Sequence, residues 1–170
     1  VYRDSRVGVE WSVINIAIGE GVKHGPLVAA APGKEHAWRE NVAAAIPYCT
    51  TLKPAALVIP AYAPPEGLSK VDALSTFKEN LKYAADAFGD IGTRVIVEPL
   101  NPNVRPNSLL STSAETMAII EEVGHPNLGL EFDAYHMYYT EGNMEATVEQ
   151  YLPYIGNIQI ADGPERHEPG

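Results

Sequence analysis

Residues 128–136, LGLEFDAYH, join a strand-length apolar run to groups that could hold a cation. Extended backbone alternates its side chains, so Glu131, Asp133 and Tyr135 are expected on one face and Leu130, Phe132 and Ala134 on the other. An acid facing inward on a buried strand is costly unless something neutralises it. Asp133 stands where the strand should end, and His136 follows shortly after. Carboxylate oxygen with imidazole nitrogen suits a divalent cation. The plainer reading is an Asp and a His in a polar loop.

Other polar side chains sit at equivalent places. Glu98 and Asn101 close the run TRVIVEPLN, Asn15 closes WSVINI, and Gln159 and Arg166 lie at and beyond the end of IGNIQIA. Glu20, His24, His167 and Glu168 are weaker candidates of the same kind. Each has an ordinary alternative. Glu98 could pair with Arg94 or Arg105, Gln159 could be a buried amide bonded to backbone, and Arg166 could be solvated.

The elements that must position these groups alternate. Short apolar, β-branched runs predict strands near 11–16, 55–62, 93–99, 128–133 and 156–161. Between them the apolar residues recur at three- and four-residue steps. Val42, Ala45, Ile46, Cys49 and Leu52 mark one helix, with Pro47 expected to kink or bound it. Leu74, Phe77, Leu81, Ala84, Ala85 and Phe88 mark a second, with Ser69 as its N-cap. Met117, Ile120 and Val123 mark a third, capped by Thr112 or Ser113, and a short helix follows Asn143. Alternating strand and helix predicts an α/β chain with a parallel sheet and right-handed crossovers. An open doubly wound sheet and an arc of a (β/α)8 barrel both fit. No Gly-x-Gly-x-x-Gly follows the first strand, so a dinucleotide site lacks support. Chemistry collected at strand ends favours the barrel.

Composition narrows the partners. The chain of 170 residues, 45% hydrophobic, suffices for one domain with a core. No apolar run reaches the roughly 18 residues of a membrane span. Cys49 is the single cysteine, which points to a reducing, cytoplasmic setting. Twelve Lys and Arg against 22 Asp and Glu give a net charge of −10, which argues against nucleic acid. The chain begins at Val1 and stops at Gly170 without a finished element, which reads as a fragment.

Three motifs in order, VIVEPLN, LEFDAYHMYYTEGN and IGNIQIADGPERHEPG, resemble the hydroxypyruvate isomerase family of the xylose isomerase-like barrels. The upstream segments INIAIGEGVKHGPL, PGKE and ENVAAAIPYCTTL are similar to the same family's second strand and its helix. The resemblance implies a single-domain, partial (β/α)8 TIM barrel of about five consecutive parallel strands with outer helices, lacking the first and last strands. It implies a divalent metal, Mg²⁺ or Mn²⁺, with Glu98, Asp133 and Gln159 as ligands. His136 and Arg166 would face substrate oxygens, with Asn101 grouped beside them. A second metal-binding glutamate of the family would belong to a later strand, outside these residues. Two departures concern the substrate: PNVRPNSLLST follows Asn101 where the family has an aromatic, and Glu131 stands where Gln is common.

The implied chemistry is aldose–ketose isomerisation of a small hydroxy-carbonyl compound, hydroxypyruvate to tartronate semialdehyde. Such a reaction needs a base, an acid opposite it and positive charge near a developing oxyanion. Glu98 would be both ligand and base. A ketose 3-epimerase could use the same groups, and a non-catalytic fragment is the third reading. The expected partner is a small molecule, with neither nucleic acid nor membrane, in a parent that could be a homo-oligomer. The chain alone is expected to be inactive.

Overall fold

The computed structural model describes residues 10–16 and 24–170. Glu20 therefore lies outside the described residues. Five apolar runs form the strands β1 (Val13–Asn15), β2 (Ala56–Pro60), β3 (Arg94–Glu98), β4 (Leu128–Asp133) and β5 (Ile155–Gln159). They make one sheet in sequence order, and every neighbouring pair is parallel. Parallel neighbours need long crossovers. These are supplied by α1 (Glu35–Leu52), α2 (Lys70–Gly89), α3 (Ser113–Val123), and the pair α4 (Ala134–Thr140) and α5 (Met144–Tyr151). The expected half-barrel is the fold observed.

The strands read as continuous apolar runs because the middle ones are covered on both faces. Leu57, Ile59, Val95, Val97, Leu128 and Leu130 join Trp38, Val42, Phe77, Leu81 and Phe88 in the core between sheet and helices. The opposite face holds a smaller cluster of Ala56, Val58 and Ile96, packed with Val13. Glu131 alternates with Leu130, as its position in the strand predicted, and is fully buried. Buried hydrogen bonds tie the helix layer together. Trp38 Nε1–H donates to the Asn80 carbonyl at 3.0 Å, and Asn80 Nδ2 donates to the Ala29 carbonyl at 2.9 Å.

Caps set most helix ends. Ser69 accepts the Asp72 N–H and Thr112 accepts the Glu115 N–H, which resolves the choice between Thr112 and Ser113. Two local expectations change. Pro47 neither ends nor divides α1, which runs through to Leu52. Pro47 is exposed, and so is Ala43, whose carbonyl loses its helical donor to the proline; water can replace that donor. The strand-like alternation written for 128–136 also stops at Asp133. The chain turns there into α4, so Tyr135 and His136 are helical.

Two strand glycines, Gly129 and Gly156, mark close approach at the amino end of the sheet. A Cβ on Gly129 would stand 2.7 Å from the Tyr154 carbonyl oxygen and 2.7 Å from an Arg94 guanidinium nitrogen. Arg94 spends its Nη2 on the Leu128 and Tyr154 carbonyls, at 3.3 and 3.2 Å. Gly142, by contrast, has nothing within 4 Å of a built Cβ. Gly129→Ala should therefore cost about 1–3 kcal/mol. Gly142→Ala should stay within about 0.5 kcal/mol of the parent. Urea unfolding of the two variants checks this, and equal midpoints would contradict the packing described.

Candidate functional site

Strand register brings the polar ends together. Glu98 is the last residue of β3, Asp133 of β4 and Gln159 of β5, and Asp133 is paired with Gln159 across the ladder. All three sit at the carboxyl edge of adjacent parallel strands, where their alternation matches. Glu98 is 7% and Asp133 1% exposed. A cavity of about 230 Å³ opens at this edge, lined among others by Asn15, Glu98, His136, Gln159 and Arg166.

Asp133 has two tasks. Its Oδ1 accepts the Tyr135 N–H at 2.9 Å and so caps α4. Its Oδ2 accepts from Arg166 Nη2 at 2.7 Å. The turn into α4 carries His136 back over the strand ends. There its Nε2 stands 3.7 Å from both Glu98 Oε1 and Asp133 Oδ2. Those distances are too long for hydrogen bonds and leave room for a third group. One carboxylate oxygen each from Glu98 and Asp133 and one ring nitrogen of His136 lie within 4.8 Å of one another.

The tautomer of His136 follows from its other nitrogen. Nδ1 receives the Asn101 backbone N–H at 3.2 Å. A backbone N–H can only donate, so Nδ1 must carry a lone pair and the neutral ring carries its proton on Nε2. Burial keeps the ring neutral by pushing its pKa below the usual histidine value, against the attraction of Asp133. In this geometry His136 presents an N–H, a donor toward oxygen, rather than a metal-binding lone pair.

The acids are crowded. Glu98 is raised to about 8, chiefly by burial, then by the charges of Asp133 and Glu131. Glu131 lies deeper on the same face and is raised to about 7 by burial, although Asn157 Nδ2 donates to its Oε1 at 2.9 Å. Its Oε2 is buried without a hydrogen-bond partner. A buried, under-neutralised set of carboxylates is an environment that a divalent cation fits. Glu98 and Asp133 supply hard oxygen ligands, and the Gln159 amide at the neighbouring strand end is of the same class.

Other residues fall differently. Asn101 is fully buried and is not among the residues lining the cavity. Its N–H holds His136 and its Oδ1 accepts the Asn103 N–H at 2.8 Å. Arg94 lies at the far end of β3 from Glu98 and makes no pair with it. His24 bonds Glu40 on α1 at 2.7 Å. His167 and Glu168 are exposed in the tail segment. Besides apolar wall residues, two lining residues with polar groups were not singled out from the sequence as cavity residues, Tyr62 and Arg105. Tyr62 follows β2, and Arg105 sits in the Pro- and Asn-rich loop after β3, which marks a turn but no chemistry.

Comparison with known proteins identifies the family of the fold. The family described as xylose isomerase-like TIM barrel matches residues 5–170. The chain is 33% identical over 162 residues to hydroxypyruvate isomerase of Escherichia coli, covering 95% of this chain and 63% of that protein. It is equally 33% identical over 162 residues to 2-oxo-tetronate isomerase of Cupriavidus necator, covering 95% and 62%. The crystal structure of AP endonuclease, family 2 from Brucella melitensis superposes with a TM-score of 0.86 at 29% identity, covering 97% of this chain and 64% of that one. The chain thus spans less than two thirds of the length of these relatives. With five parallel strands in barrel order and polar strand ends gathered at one edge, the chain belongs to the xylose isomerase-like TIM barrel family.

Proposed function

We propose that the whole protein is a metal-dependent isomerase that interconverts hydroxypyruvate and tartronate semialdehyde. The observation that carries this reading is the clustering of Glu98, Asp133 and the His136 ring nitrogen within 4.8 Å of one another at the carboxyl edge, where Glu98 and His136 line one small cavity. Similarity to proteins named hydroxypyruvate isomerase and 2-oxo-tetronate isomerase supports the reaction class. Glu98, Asp133 and Gln159 are the residues that would hold Mg²⁺ or Mn²⁺. The cation would supply positive charge beside the developing oxyanion and fix two neighbouring oxygens of the substrate.

The side chains divide the remaining work. Glu98 takes the proton from the carbon next to the carbonyl and passes it on; its oxygen already lies at the cavity wall. His136 donates its Nε2–H to a substrate oxygen, oriented by the Asn101 N–H behind it. Arg166 lies at the cavity and faces the substrate. By the family resemblance, a second glutamate on a later strand serves the opposite face. The net charge of −10 makes a nucleic-acid substrate a poor fit. The buried thiol of Cys49, pushed up to about 11 by burial, suits a reducing cytoplasm. Among the described residues no helix is long and apolar enough to cross a membrane.

Glu98→Gln in the whole protein should lower turnover by at least about 10²-fold while circular dichroism stays unchanged. Steady-state rates on hydroxypyruvate check this, and an active variant would refute Glu98 as the base.

A second outcome concerns protons. Glu98 titrates near 8 and Glu131 near 7 in the folded chain without a cation, against an ordinary value of 4.5. The folded state then binds more protons than the unfolded state between these values. Stability is full below about 4.5 and is lost as pH rises through about 7 to 8. In EDTA the melting temperature should fall from about pH 5 to about pH 8. Mn²⁺ should restore it, with apparent affinity rising over the same interval because the cation displaces a proton. Thermal melts with and without Mn²⁺ decide it; a melting temperature in EDTA that rises toward pH 8 would contradict the assignment.

A further inference from the structure

Arg105 is a polar lining residue of the cavity to which neither the reaction nor the family resemblance gives a task. Its position is built rather than incidental. The Arg105 N–H donates to the Asn101 carbonyl at 2.9 Å, and the Arg105 carbonyl accepts the Ser108 hydroxyl at 2.6 Å. The loop is thus fastened to Asn101, the residue that orients His136. The Arg105 guanidinium carbon lies 5.8 Å from the centre of the Tyr62 ring, which also lines the cavity. A cation held over a ring in this way spends none of its N–H donors on the ring.

The two cavity arginines differ in what they already hold. Arg166 is engaged by Asp133 at 2.7 Å and lies over Tyr135 at 4.9 Å. Among the described residues, the Arg105 guanidinium makes no hydrogen bond or ion pair with an acid, although the chain carries 22 Asp and Glu. Its charge still reaches the site, where it pulls the Glu98 and His136 pKa values down. Arg105 is exposed at the rim, yet its loop is fastened and its guanidinium lies over an aromatic ring. A planar fork of donors at the rim of a small cavity matches a carboxylate in two parallel bonds.

We propose that Arg105 is a specificity-determining residue that takes the carboxylate end of the substrate, so that the cavity selects small hydroxy- or keto-acids over neutral sugars of the same size. The proposal rests on this cavity being the substrate site of the isomerase reading, and it names the feature that sets its substrate class. The carbonyl and hydroxyl end then lies toward Glu98 and His136, and the acid end toward Tyr62 and Arg105.

The test compares two probes of equal carbon number, hydroxypyruvate and dihydroxyacetone, in which a carboxylate is exchanged for CH₂OH. Binding to the whole, Mn²⁺-loaded protein is measured by calorimetry for the parent, Arg105→Gln and Arg105→Lys, with turnover followed separately. Arg105→Gln should weaken hydroxypyruvate by about tenfold or more and dihydroxyacetone by no more than about twofold. Arg105→Lys should recover part of the loss and keep the preference, because it restores charge without the fork. Equal weakening of both probes, no weakening of either, or no binding of hydroxypyruvate by the parent would each overturn the proposal. Selective loss of hydroxypyruvate binding in a protein that does not isomerise it would uphold the role of Arg105 and defeat the isomerase reading alone.

Discussion

Three carboxylates, Glu98, Glu131 and Asp133, are buried on or near one face of a parallel sheet, and much of the local structure responds to that repulsion. Each would be costly alone, and burial together with neighbouring charge raises the affinity of Glu98 and Glu131 for protons. Asp133 is relieved by a helix cap and a guanidinium, Glu131 by one amide, and Glu98 by little more than its place at the cavity wall. The parallel register makes the clustering unavoidable. Ladder pairs such as Asp133 with Gln159 put residues that end neighbouring strands on the same side at the same height. Held by packing and left short of positive charge, such a cluster is an environment that a cation would fit.

Much of this was legible in the sequence, for physical reasons. The strands were visible because segments covered on both faces must be apolar throughout, as in LVI of β2 and VIV of β3. Glu98, Asp133 and Gln159 stood out as polar groups where such runs end. Ser69 and Thr112 were readable because a cap is a local event. What could not be read depended on three-dimensional closure. The sequence AYHMYYT continues an alternating pattern, and only the Asp133 cap turns it into α4. Pro47 breaks helices on average, yet here the freed carbonyl faces water. Arg105 belongs to the cavity because its loop folds back on Asn101, a contact with no periodicity to announce it.

The distribution of positive charge separates the two roles that the cavity combines. Arg166 neutralises a protein carboxylate, whereas Arg105 leaves its edge to whatever enters. On this chain of net charge −10, anions are repelled at long range, and an exposed guanidinium is a local exception. Such a surface trades capture speed for discrimination, since the attraction acts only over the last few ångströms.

Asp133 joins the site to a helix end, and this makes the backbone a reporter of the chemistry. The Tyr135 N–H donates to Asp133 Oδ1, a bond that would slow its exchange, and His136 rides on the same first turn of α4. Anything that draws the Asp133 carboxylate toward a cation or releases it from Arg166 changes how firmly that turn is wound. Occupancy of the strand ends is therefore written into the hydrogen-exchange lifetime of one amide, even before a substrate arrives.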